Sequence, residues 1–314
     1  MLIAIIIVTA LLLIALGVLI WAHQKTFGSL PKGATETGLS PELISEPFRD
    51  PISAASRELA AKPCERVTTV ARDGIRLGAR YFHTADSAPV CICFHGYRGS
   101  GPRDFALVAP LLMSWGYNVL LIDERAHWSS GGRTITFGIR ERYDVLSWVS
   151  YVNNRFGGDT PVYLFGISLG GGTVLMASGL ELPDNVRAVC ADCPFNSPKE
   201  IICHVADQVG MDHRWSWPIV WLSARVIGRF NINATSAEKA AAGSKKPILI
   251  IHGEGDSFVP APMSRRVYEA NPAMIEYHTF PQAEHGMSYL CDPERYQRIL
   301  KEFLKKTSVN SKSR

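Results

Sequence analysis

Before any composition is counted, the order of apolar and polar positions divides the chain. From Leu2 to Ala22 no residue carries a charge, and isoleucine, leucine and valine dominate. A helix over that stretch rises about 30 Å, enough to cross the hydrocarbon core of a bilayer, and Trp21 falls where an interfacial ring would lie. A cleaved signal peptide calls for a basic start, a shorter apolar core and a small-x-small cleavage site. No Lys or Arg precedes this run, so residues 1–22 are expected to form a single uncleaved transmembrane anchor. Residues 23–64 mix Gly, Pro, Ser and Thr with little periodicity and read as a tether and approach segment.

The rhythm changes near Glu65. Val67–Val70 and Ile75–Phe82 flank Asp73-Gly74, a pair that tolerates positive φ and so predicts a hairpin. Short apolar runs then recur at Val90–Phe94, Asn118–Ile122, Val162–Phe165, Val186–Ala191 and Ile248–Ile251. They lack polar/apolar alternation, the pattern of strands buried on both faces. Stretches between them, such as Asp104–Trp115, Arg140–Asn153 and Gly170–Leu180, read as helices. This alternation predicts an α/β domain over residues 65–304, with a parallel sheet and right-handed crossovers. More than fifty residues separate Ala191 from Ile248, too many for one crossover helix. A lid insertion is expected at about 194–245. It carries Trp215, Trp217 and Trp221, which either form lid core, line an apolar acyl pocket or touch the bilayer.

Composition adds less. With 46% hydrophobic and 20% charged residues, a sizeable core is available and wholesale disorder is excluded. Part of the net charge of +4 sits in a basic tail, residues 305–314, at Lys305, Lys306, Lys312 and Arg314. No basic stripe with interleaved aromatics appears, which argues against nucleic acid as a partner. Lys25 and Lys32 follow the anchor, whereas only the α-amine precedes it; the catalytic side is therefore expected in the cytoplasm. The seven cysteines are odd in number and suggest no disulfide framework. Cys190, Cys193, Cys203 and His204 fit no pair-plus-pair metal spacing, and Cys190 falls inside a strand. No metal or organic cofactor is expected.

The candidate chemistry centres on "LFGISLGGGT". Ser168 stands between Gly166 and Gly170, after a buried strand and ahead of a helix. Such a strand-to-helix turn holds a nucleophile where small neighbours are required, and the helix N-terminus faces developing negative charge. A serine hydroxyl needs a base and an orienting acid. His285, in "YHTFPQAEHGM", follows a strand-like run. Two aspartates follow late strands, Asp192 and Asp256, the latter in "ILIIHGEGDSFVP". Backbone N–H groups of Leu169, directly after the serine, and of Tyr97, in "CICFHGYRGSG", are the candidate oxyanion donors. In acyl transfer His285 takes the Ser168 proton and the N–H pair holds the oxyanion; water then resolves the acyl-enzyme.

The segments "FHGYRGSG", "LIDERAHWSSGG", "LFGISLGGGT", "HGEGDSFVP" and "AEHG", in this order over about Glu65 to Leu304, resemble the α/β-hydrolase family. Membrane-anchored bacterial members described as serine aminopeptidase-like or hydrolase-4-like are the closest in appearance. The resemblance implies an eight-stranded, mostly parallel sheet, serine-hydrolase activity and Asp256 as the acid. Where the family pattern has glycine after His127, this chain has Trp128, expected to narrow the pocket mouth. Asp123, Arg125 and His127 are expected to be structural. The function expected is a serine carboxylic-ester hydrolase in the membrane, acting on a small-molecule or lipid acyl substrate. A serine aminopeptidase and a non-catalytic binding protein on the same scaffold are the alternatives.

Overall fold

The computed structural model describes residues 1–31, 33–38 and 48–309; Lys32 in the tether, and Lys312 and Arg314 in the basic tail, lie outside the described residues. In chain order the elements are α1 (Leu2–Phe27), α2 (Arg49–Ala61), β1 (Glu65–Val70), β2 (Arg76–Phe82), β3 (Val90–Phe94), α3 (Gly101–Asp104) and α4 (Val108–Ser114). There follow β4 (Asn118–Ile122), α5 (Glu141–Phe156), β5 (Val162–Ile167), α6 (Leu169–Ser178), β6 (Val186–Asp192) and α7 (Pro198–Gln208). The chain continues through α8 (His213–Val226), α9 (Ala237–Ala242), β7 (Ile248–Gly253), α10 (Ala261–Ala270), β8 (Ile275–Phe280), α11 (Ser288–Cys291) and α12 (Pro293–Val309).

Among the described residues, eight strands form one sheet in the order β1-β2-β4-β3-β5-β6-β7-β8. β1 pairs antiparallel with β2, and β2 with β4; every pairing from β4 to β8 is parallel. The β1–β2 connection turns at Gly74 with φ 82°, and the Ala71 N–H donates to the Ile75 carbonyl at 2.8 Å. A side chain there would resist that φ, which is why Asp-Gly marks the turn.

Each central strand contributes alternate residues to two apolar layers. Val90, Ile92 and Phe94 enter the layer shared with Val145, Trp148, Val174 and Val267 from α5, α6 and α10. Cys91 and Cys93 point the other way, toward Leu59, Leu112, Leu300 and Phe303 from α2, α4 and α12. Burial on both faces explains the unbroken apolar runs.

The segment expected to be a tether is more ordered than its composition suggests. α2 occupies its second half, burying Leu59 in the core, and Glu36 forms an ion pair with Arg80. The apolar helix also continues past Ala22 to Phe27, burying Ala22, His23 and Phe27 against the domain. Leu2–Phe27 is long and apolar enough to cross a membrane, and none of its most apolar 18-residue window is buried.

Candidate active site

At the end of β5 the chain turns sharply into α6 through Ser168, which has φ 55° and ψ −111°. A non-glycine residue pays for such a backbone with strain, retained where the surroundings enforce it. The enforcement is visible in the neighbours. A Cβ on Gly166 would stand 2.1 Å from the Gly170 carbonyl oxygen, and one on Gly170 would stand 1.9 Å from the Phe94 carbonyl oxygen. The two glycines flanking the serine are thus a packing requirement of the turn.

The structure brings Ser168, His285 and Asp256 into one hydrogen-bonded relay. Ser168 Oγ lies 2.9 Å from His285 Nε2, and His285 Nδ1 lies 2.7 Å from Asp256 Oδ2. An ionised carboxylate only accepts, so the Nδ1 proton belongs to this bond, leaving Nε2 to accept from the serine hydroxyl. Asp256 is well provided for. Its Oδ1 accepts the Phe258 and Val259 N–H groups at 3.0 and 2.8 Å, and His252 Nε2 stands 3.3 Å from Oδ2. Burial pushes this carboxyl up, but the charge on His285 and the hydrogen bonds from His252 and His285 together outweigh it. The net result holds Asp256 well below the usual carboxylate range.

Asp192, the other candidate acid, is occupied elsewhere. Its Oδ2 accepts the Tyr296 hydroxyl from α12 at 2.8 Å, and its backbone carbonyl accepts the Ser168 N–H at 2.9 Å. Burial pushes its carboxyl up to about 6, with the Tyr296 bond pulling in the opposite direction. Cys193, the next residue, places Sγ 4.0 Å from His285 Nε2.

Leu169 opens α6 directly after the serine. Tyr97 lines the cavity with Ser168, in a loop that is heavily braced. Gly96 N–H donates to Asp104 Oδ2 at 2.7 Å, His95 Nδ1 donates to the Gly96 carbonyl at 2.8 Å, and Arg98 N–H donates to His127 Nε2 at 3.1 Å. Burial lowers both His95 and His127 and keeps them neutral, so each has one ring nitrogen free to accept. Asp104, which sequence reasoning missed, sits nine residues beyond His95 in a helix of four residues. Burial pushes its carboxyl up, but the charge and hydrogen bond of Arg103 win, and it falls below its ordinary value.

The expected structural roles of Asp123, Arg125 and His127 match their contacts. Arg125 grips Asp144 with two bonds of 2.7 and 2.6 Å and reaches Asp73 at 2.9 Å; Asp123 accepts the Ser129 hydroxyl and N–H. Trp128 differs from expectation. Its indole N–H donates to the Gly99 carbonyl at 2.6 Å, and it does not line the cavity; the ring supports the loop from behind.

Ser168 and His285 open onto a cleft enclosing about 960 Å³, its mouth included, with a largely apolar wall of Ile52, Leu107, Val108, Ile167, Tyr289 and Leu290. Among the described residues, none from 194–245 lines it. The expectation that a lid tryptophan lines this pocket is therefore not met. Trp217 packs against the core, while Trp215 and Trp221 are exposed.

A strand-to-helix turn that carries a serine on a central parallel strand, with a histidine and an aspartate on later strand ends, is the arrangement of the α/β-hydrolase fold. The description "alpha/beta hydrolase fold" matches residues 89–221. YqkD of Bacillus subtilis is 29% identical over 198 residues, 62% of this chain and 64% of that protein. The lysophosphatidylserine lipase ABHD12 of Rattus norvegicus is 29% identical over 237 residues, 71% of this chain and 57% of that protein. The match thus spans less than two thirds of either relative. Among solved structures, the Pyrococcus furiosus esterase Pf2001 superposes with a TM-score of 0.66 at 20% identity, covering 89% of this chain and 98% of that one. The chain has the α/β-hydrolase fold, and over this stretch it is similar to hydrolases.

Proposed function

We propose that the protein is a membrane-anchored serine hydrolase that cleaves carboxylic esters carrying an apolar acyl chain. The Ser168–His285–Asp256 relay at an apolar cleft carries this reading. His285 Nε2 accepts the Ser168 proton as the oxygen attacks the ester carbonyl. Asp256 stabilises the imidazolium and fixes its tautomer, and the backbone N–H groups of Leu169 and Tyr97 receive the oxyanion. The alcohol leaves with the proton returned by His285, and water repeats the sequence on the acyl-enzyme. The lipase and esterase names among its relatives agree with an acyl substrate of lipid or small-molecule type. Lys25 after the apolar helix favours a catalytic side in the cytoplasm.

An aminopeptidase would need a carboxylate free to hold a substrate α-amine. Among the described residues, the carboxylates lining the cleft are Asp104 and Asp192, one bonded to Arg103 and Gly96 and the other to Tyr296. Ester hydrolysis is therefore the better reading. Labelling with a fluorophosphonate probe, followed by a p-nitrophenyl ester series from acetate to decanoate, tests it. Labelling at Ser168 and turnover that rises with chain length are expected; a folded protein that neither labels nor turns over any ester returns the chain to the non-catalytic reading.

A further inference from the structure

α8 has one buried face and one bare one. Val220, Ser223 and Ala224 are buried, whereas Trp215, Ile219, Leu222 and Val226 are exposed. The exposed four fall at i, i+4, i+7 and i+11, a single stripe along the helix. Trp215 is 79% and Val226 52% exposed. Contiguous apolar surface of this kind marks a contact with something other than water.

The packing of α8 says what that is. α8 packs against α1, and does so at the end where the apolar helix meets the domain. The buried His23 imidazole lies beside the backbone of Ser223, and the Phe27 and Phe230 rings meet edge-on at 5.3 Å. His23 lies two residues past Trp21, about 3 Å along the helix axis. The bare stripe is therefore held beside α1 at the level where its exposed apolar surface ends. Arg225 stands 5.8 Å over the Trp221 ring, an arginine–tryptophan pairing suited to headgroup depth.

We propose that α8 rests in the bilayer interface, with Trp215, Ile219, Leu222 and Val226 immersed among headgroups and upper acyl chains of the membrane that α1 spans, and Trp221, on the flank of this stripe, at headgroup depth within reach of the lipid. The proposal rests on α1 being a membrane span. The domain would then be held against the lipid by two elements, fixing its orientation instead of leaving it to swing.

The test uses the full-length chain carrying Trp21→Phe, reconstituted into vesicles of phosphatidylcholine and phosphatidylglycerol. Flotation reports the anchor, and quenching of tryptophan emission by brominated phosphatidylcholine reports α8. The protein should float, and roughly a third of its emission should be quenched, since Trp215 and Trp221 are two of the six remaining indoles. Adding Trp215→Phe and Trp221→Phe should bring quenching to background. A protein that floats without quenching overturns the α8 proposal and leaves the anchor standing; concentration-dependent dimers in mild detergent would then assign the stripe to a second copy of the chain. A protein that does not float overturns the anchor and α8 together.

Discussion

The Tyr97 hydroxyl donates a hydrogen bond to the Thr26 carbonyl at 3.0 Å, joining the candidate oxyanion loop to the last turn of the apolar helix. Its neighbour Arg98 donates from one guanidinium nitrogen toward the carbonyls of Gln24, Lys25 and Gly28 at 3.2–3.3 Å. The final carbonyls of a helix have no partners within it and carry its negative end, so a cation there is favourable. Phe27 completes the joint, fully buried with its ring edge-on to Phe137 and Phe230.

The end of α1 is therefore expected to behave as part of the catalytic domain. A chain starting at Ala22 should keep its soluble-ester turnover in mild detergent and melt within a few degrees of the full protein. A chain starting at Pro31 should melt far lower and lose turnover, because the Tyr97 loop loses its support. Phe27→Ala alone should cost about 3–5 kcal/mol. Equal melting temperatures for the two truncations would show that the joint contributes nothing.

Substitutions at the Ser168 turn should separate activity from stability. Ser168→Ala keeps the backbone and the small neighbours, so it should melt normally while probe labelling vanishes and kcat drops on the order of 10⁶-fold. Gly170→Ala places its Cβ against the Phe94 carbonyl, backbone that cannot move aside cheaply. It should destabilise by more than about 4 kcal/mol, an exceptional value for a single methyl. Calorimetry beside active-site labelling decides both; a Gly170→Ala protein with native stability would contradict the close approach of α6 to β3.

What the sequence made legible was local. The strands could be read because Val90–Phe94 and Ile248–Ile251 are buried on both faces, and the Ser168 turn because its glycines are adjacent in the chain. α2 was obscured by its setting in a Gly- and Pro-rich segment, although Leu59 and Ile52 lie on its buried side. Beyond the Ser168–His285–Asp256 relay, contacts between distant segments left no mark. Nothing near Asp192 announces Tyr296, over a hundred residues later, and nothing near Gly96 announces that Asp104 will take its N–H. The indole of Trp128 was misplaced for the same reason: its partner, the Gly99 carbonyl, is backbone, which no residue type encodes.

The two acids should respond differently to amide substitution. Asp256→Asn leaves the shape but permits the wrong histidine tautomer, and kcat should fall by roughly 10⁴-fold with KM little changed. Asp192→Asn loses only a bond to Tyr296, and its kcat should stay within about tenfold of the parent, one neutral hydrogen bond's worth of positioning. Steady-state kinetics on a soluble ester suffice. The reverse ranking would move the acid of the relay to Asp192.

Asp192 should also shape the dependence of stability on pH. Its folded-state carboxyl titrates at about 6, against an ordinary value of 3.8, so between these values the folded protein holds a proton that the unfolded chain has released. Stability falls with rising pH wherever the folded state binds the extra proton. This contribution is therefore fully favourable below about pH 4, declines from there to about pH 6, and is absent above. The shift corresponds to about 3 kcal/mol at 1.36 kcal/mol for each unit, less whatever the buried site relaxes. Asp144, pushed up to about 6 by burial against the pull of Arg125, and Glu124, raised well above its ordinary value by burial, add parallel declines, so the wild-type slope is not that of Asp192 alone. Asp192→Asn removes only its own part. Melting temperatures at pH 4.5 and 7 should thus differ less in Asp192→Asn than in the wild type, by a few degrees, with the variant the more stable of the two at pH 7. An unchanged pH slope in the variant would mean that Asp192 ionises as freely in the fold as in the open chain, and that its bond to Tyr296 outweighs its burial.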